Sequence, residues 1–195
     1  IVASLKFAAQ QHQQPLSDED AKSIIGLGLP EVMQTLFPDV PELHQEILDS
    51  YAQHYVASSQ DDQWFDGVGD MLNDLKQRGF KLAVATGKSR RGLDRVLAKT
   101  QSQDLFVMTR AASETKSKPD PLMLQQILDF TGIPANQAIM VGDTSYDLEM
   151  AQRIDMPRVG VSYGVHHVDI LKQYQPMTIA NSVTELHHWL NTQVA

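Results

Sequence analysis

The chain has 195 residues, 42% hydrophobic and 21% charged, enough for one α/β domain with a smaller helical insertion. Its formal charge of −8 argues against a nucleic-acid binder or a membrane-surface binder, while leaving small anionic substrates open, because a pocket can oppose the global sign. The absence of cysteine excludes disulfides, thiolate catalysis and Cys-based zinc sites and fits a reducing cytoplasm, and no apolar run approaches the length of a bilayer span.

In chain order, the opening IVASLKFAAQQ reads as an amphipathic helix with Ile1, Leu5 and Ala8 or Ala9 on one face, not as a targeting segment. It begins on Ile rather than Met, so residues are expected to precede it. Ser17, with Glu19 and Asp20 behind it, offers an N-cap and an acidic first turn. Gly26, Gly28 and Pro30 break the pattern; a helix follows with Val32, Met33 and Leu36, and another over about Glu42 to Val56. No strand pattern occurs before about residue 64.

From Trp64 the texture changes. DGVGDMLNDLKQRGF predicts a helix stopped by Gly79, then KLAVAT a strand and a helix through Leu93 and Leu97. LFVMT predicts a second strand, Pro121 to Phe130 a helix ended by Gly132, and AIMV a third strand before a helix around Leu148 to Ile154. RVGVSY and MTIA predict two more strands ahead of a last helix, Val183 to Leu190. This alternation implies βαβ units and a parallel, Rossmann-like sheet.

Chemistry in such sheets gathers at the carboxyl ends of strands. There stand Thr86-Gly87, then Asp143 with Asp147 one turn on; the loop SETKSKPDP adds Lys118. A hydroxyl, backbone N–H, a lysine and two acids suit an oxyanion plus a hard cation such as Mg²⁺. Singly, Asp143 reads as a helix N-cap, Asp147 as a surface acid, Thr86-Gly87 as a turn and Lys118 as a loop lysine; the joint occurrence carries the argument. Gly-x-Gly in GLGLPEV follows no strand, which argues against a dinucleotide site. His166-His167 read as solvated loop histidines, and His187-His188 carry no signal.

The order VATGKS, KPDP, MVGDTSYD resembles motifs two to four of the haloacid dehalogenase-like hydrolases, and GVGDMLNDLKQRGFKLAVATGK resembles their phosphoglycolate phosphatase-like branch. The resemblance implies an α-helical cap over residues 1–64, an α/β core over 65–195, and a cytoplasmic Mg²⁺-dependent phosphatase acting on a small phosphate monoester. Thr86 and Gly87 would bind the phosphoryl group, Lys118 (rather than Lys116) would neutralise it, and Asp143, supported by Asp147, would ligate Mg²⁺. By the same resemblance Gly26 to Pro30 form the cap loop facing the substrate. A sugar-phosphate mutase of the same superfamily and a non-catalytic phosphate-binding protein are the alternatives.

The family's Asp-x-Asp-Gly-Thr nucleophile motif has no counterpart: Asp18-Glu19-Asp20 lacks Gly-Thr and reads as helix-start chemistry. The nucleophile strand is therefore expected upstream of Ile1 and, in the family's sheet order, between KLAVAT and AIMV. Without it, backbone groups on two inner edges would go unsatisfied at about 1–3 kcal/mol each.

Overall fold

A computed structural model describes residues 1–58 and 64–193. Helix α1 (Val2–Gln11) buries Leu5, Ala8 and Ala9, while Ile1, expected on the same face, is exposed. Helix α2 (Asp18–Ser23) is capped by Ser17, whose side chain accepts from the Asp20 N–H at 3.0 Å, so the local acid triplet is helix-start chemistry. Helix α3 (Leu29–Leu36) starts with Pro30 in its first turn, where a missing N–H costs nothing. A 3-10 turn at Pro41–Leu43 leads into α4 (His44–Ser58), and Leu5, Met33 and Ile47 meet in one apolar cluster. The only β pairing of this region among the described residues is an isolated bridge, Ile25 to Leu27.

Helix α5 (Val68–Gln77) ends ahead of Gly79, which takes a φ of +89° that only glycine adopts without strain. Strand β1 (Ala83–Thr86) is followed by α6 (Arg90–Lys99) and β2 (Met108–Ala111). The second strand lies later than its apolar run suggests: Leu105 belongs to a 3-10 turn, and pairing starts where Met108 meets Ala83. Helix α7 (Leu122–Thr131) stops at the left-handed Gly132. Strand β3 (Met140–Gly142) runs one residue beyond its apolar run, and α8 (Ser145–Gln152) starts three residues earlier than its periodicity predicts. The reason is polar: the Thr144 side chain and Asp147 form a capping box. Strand β4 (Arg158–Val161), a short α9 (Val168–Lys172) that no apolar period announced, β5 (Ile179–Ala180) and α10 (Val183–Gln193) complete the chain.

All described strands pair in parallel, in two separate pieces: β1 with β2, and β3–β4–β5 in that order. Among the described residues β1 and β3 each carry a partner on one side only. The consequence is visible in side-chain burial. Val159 on β4 is fully buried, whereas Val141 on β3 is 37% exposed despite lying in an apolar strand. Met123 and Leu124 of α7 and Met150 and Ala151 of α8 pack in one cluster that Ala85 of β1 and Met140 of β3 join.

Candidate active site

Strand β1 delivers Thr86 and Gly87 to a turn whose Ser89 caps α6, accepting from the Gly92 N–H at 3.2 Å. Thr86 Oγ1 accepts from the Lys88 N–H at 3.2 Å, so its own hydroxyl proton stays available to donate elsewhere. Gly87 has a steric reason: a Cβ there would fall 2.5 Å from the Gly26 carbonyl oxygen and 2.6 Å from that of Leu27. The loop between α2 and α3 thus lies directly on the turn after β1. A second link fixes it, since the Gly28 N–H donates to Ser117 Oγ at 2.7 Å.

Lys118 follows Ser117 and is 6% exposed, while Lys116 points away with a side chain 71% exposed and pairs with Asp120. Lys118 Nζ donates to Asp147 Oδ1 at 2.5 Å, both side chains being buried. Asp147 Oδ2 accepts from the Thr144 N–H at 3.2 Å and from Thr144 Oγ1 at 2.7 Å. Asp147 is therefore no surface acid; it holds both the lysine and the start of α8. Thr144, not Asp143, is the N-cap, which frees Asp143 from the capping role considered for it. Asp143 Oδ2 accepts from the Val165 N–H at 2.9 Å, and its carbonyl from the His166 N–H at 3.1 Å.

His166 corrects the expectation of a solvated loop histidine. Its Nδ1 accepts from the Ser145 N–H at 3.0 Å, its ring meets Tyr146 edge-on, and its Nε2 is buried with no hydrogen-bond partner among the described residues. Burial pushes the imidazole below its usual pKa, against the opposing pull of Asp143 and Asp147. His167 is exposed as expected and caps α9, and His187 bridges to Asp74 on α5 at 2.8 Å.

Thr86, Gly87, Lys118, Asp143 and Asp147 all line one cavity of about 800 Å³, roofed by α1, α3 and α4 and by the loop through Gly26 and Leu27. Sequence reading missed part of its wall: Lys88 from the turn before α6, Arg91 and Arg95 from α6, and Tyr55 from α4. The signal was available in the i, i+4 spacing of Arg91 and Arg95 behind a strand end. No group of three or more His, Asp or Glu side chains that could hold a metal occurs among the described residues. Asp143 nevertheless suits Mg²⁺, which takes one or two protein carboxylates and fills the rest of its shell with water and phosphate oxygen. Asp143 lines the cavity and, unlike Asp147, has no lysine or arginine paired to its carboxylate among the described residues.

The described strands form a parallel sheet in two pieces under a helical layer, with Thr86, Lys118, Asp143 and Asp147 on one cavity at their carboxyl ends. The chain belongs to the haloacid dehalogenase-like hydrolases, whose family pattern it matches over residues 1–161. It is 26% identical to the phosphoglycolate phosphatase of Pseudomonas fluorescens, over 89% of this chain and 67% of that protein. It is also 26% identical to the pyrophosphatase PpaX of Halalkalibacterium halodurans, over 86% of this chain and 78% of the relative. A third relative, "Probable phosphatase IndB" of Dickeya dadantii, is 34% identical over 63% of this chain, which spans 54% of that protein. Among solved structures, a hydrolase from Pseudomonas syringae shares the fold with a TM-score of 0.86 at 19% identity, covering 100% of this chain and 91% of the other. No helix among the described residues is long and apolar enough to cross a membrane.

Proposed function

We propose that these residues form the cap (1–64) and most of the core (65–195) of a Mg²⁺-dependent phosphatase for a small phosphate monoester. The observation that carries this reading is the convergence of Thr86, Gly87, Lys118 and Asp143, from three separate loops, on one cavity. The Thr86 hydroxyl and the Gly87 backbone would hold phosphoryl oxygens. Lys118 has three ammonium protons and gives one to Asp147, which leaves two for the phosphoryl group and an attacking carboxylate. Asp147 fixes that ammonium in place, and Asp143 would anchor the Mg²⁺. The ion, when bound, offsets charge on the transferring group.

The attacking carboxylate has no candidate on this cavity's wall: its only described acids are Asp143 and Asp147, one suited to the cation and the other paired with Lys118. The one-sided pairing of β1 and β3 supports a further parallel strand between them, whose carboxyl end would reach the same cavity. The phosphoryl group would pass from the substrate's ester oxygen to a carboxylate on that strand, and then to water.

The test is phosphate release from small phosphate monoesters by the protein that carries these residues. Asp143→Asn should lower turnover about 100-fold, with partial recovery at raised Mg²⁺, while Lys116→Ala stays near wild type. Unchanged turnover in Asp143→Asn overturns the assignment.

A further inference from the structure

Asp143, the carboxylate proposed for the cation, is held by a turn that takes no part in the cavity wall. This is the turn over residues 162–166, directly behind β4. Its Val165 N–H donates to Asp143 Oδ2 at 2.9 Å, and its His166 N–H donates to the Asp143 carbonyl at 3.1 Å. Gly164 closes the grip by contact. A Cβ on Gly164 would fall 2.1 Å from Asp143 Cβ, 2.2 Å from Oδ2 and 2.5 Å from Cγ, closer than such atoms can approach. Its φ lies outside the left-handed region that Gly26, Gly67, Gly79 and Gly132 occupy, so glycine is needed here for room alone.

The imidazole of His166 adds a bond two residues along, where its Nδ1 accepts from the Ser145 N–H at 3.0 Å. The capping box of α8 engages the N–H groups of Thr144 and Asp147, so that of Ser145 is left for a partner from outside the helix. One turn thus meets Asp143 at its carboxylate and its carbonyl, and Ser145 at its N–H. Apolar burial does not explain the turn, since Gly164 and Val165 are both exposed. What the arrangement leaves is one unpartnered carboxylate oxygen. Asp143 Oδ1 has no hydrogen bond or ion pair among the described residues, whereas both oxygens of Asp147 are engaged.

We infer that Gly164 and His166 are positioning residues for the cation site: the turn behind β4 engages one oxygen of Asp143 and leaves the other, Oδ1, to the ion. The inference rests on the cation role proposed for Asp143 and adds what sets that ligand's geometry. The Val165 N–H and the bare face of Gly164 restrain the aspartate side chain before any ion arrives, so little rotamer freedom is lost on binding. Mg²⁺ tolerates little departure from octahedral geometry, so a displaced oxygen weakens its binding directly. Loss of a hydrogen-bonding partner behind a metal ligand lowers affinity about 10-fold or more.

The test is a titration with Mn²⁺, a paramagnetic stand-in for Mg²⁺, of the protein that carries these residues. Binding is read from the electron paramagnetic resonance of the free ion, with no substrate and no turnover. Asp143→Asn sets the reference for loss of the ligand itself. Gly164→Ala should weaken Mn²⁺ binding about 10-fold or more, and so should His166→Leu, which leaves the Ser145 N–H without an acceptor. His166→Asn should stay near wild type, because its amide oxygen can take the place of Nδ1. Gly160→Ala on β4, whose new Cβ would meet Ile179 at 3.3 Å, controls for general damage and should leave the affinity unchanged. Wild-type affinity in both Gly164→Ala and His166→Leu overturns the inference and leaves the role of Asp143 standing. Equal losses in Gly160→Ala and Gly164→Ala, or in His166→Asn and His166→Leu, trace the effect to disturbed packing and overturn it too. An unchanged affinity in Asp143→Asn, or no binding by the wild type, removes the cation role and this inference together.

Discussion

At the residue scale the decisive contact is Lys118 with Asp147, an ion pair with both side chains 6% exposed. Removing one member of such a pair strands the other in a poorly solvated place, at about 3–5 kcal/mol. Lys118→Met and Asp147→Asn should each destabilise the protein by about that much in urea unfolding. The double variant should cost less than the sum by more than about 1 kcal/mol, and additive costs would show that the two do not depend on each other. His166 gives a pH dependence. Its folded pKa lies below the unfolded value of 6.5, so its contribution is complete above that pH and is lost as the pH falls through it toward the folded pKa. Wild type should therefore lose more Tm between pH 7.5 and 5.5 than His166→Gln, whose side-chain oxygen can still accept from the Ser145 N–H. Equal losses would assign the acid sensitivity elsewhere.

At the element scale the sheet is the informative feature. An interior parallel strand is covered on both faces and paired on both edges, which its apolar sequence reflects. Val141 has such a sequence context and yet is 37% exposed, because β3 has β4 on one side and no described strand on the other. If a strand fills that space in the working enzyme, Val141→Lys should be nearly neutral in the 195-residue chain. In the protein with the strand in place it should cost several kcal/mol, on the order of a buried unpaired charge. The same small penalty in both would argue against the added strand. The loop of Gly26 to Gly28, shorter than the expected Gly26 to Pro30 because α3 already starts at Leu29, shows the opposite case, an irregular segment held by the Gly28 N–H bond to Ser117 and by contact with Gly87.

At the scale of the whole molecule, the helical layer and the sheet layer keep separate apolar cores. Leu5, Met33, Ile47 and their neighbours come only from residues before 59, while the clusters around Val159, Met123 and Leu93 come from residues after 67. Between the layers lies the cavity, lined in part by charged groups. Layers joined through such a seam open with different free energies. Ile47→Ala, a cavity-forming change of about 2–5 kcal/mol, should speed hydrogen exchange in α1 and α4 while leaving β4 protected. Uniform acceleration across both layers would mean that they unfold as one unit.

Local pattern along the chain encodes much of this molecule. Apolar periods marked most of the helices and the α/β alternation, though not the short α9; Gly79 and Gly132 marked helix ends, and the residues after successive strands pointed to Thr86, Gly87, Lys118 and Asp143, because parallel strands bring their carboxyl ends to one edge whatever their separation in the chain. Strand limits slipped where pairing and not hydrophobicity sets them, as at Met108 and Gly142. The state of Asp147 emerges only on folding, since its lysine partner is 29 residues away, as does the burial of His166, which bonds to Ser145 across 21 residues. Only folding joined Arg95 to Tyr55, on helices whose sequences do not announce each other. A cation's partners and an imidazole's solvation are properties of distance in space, and a one-dimensional pattern carries no term for that.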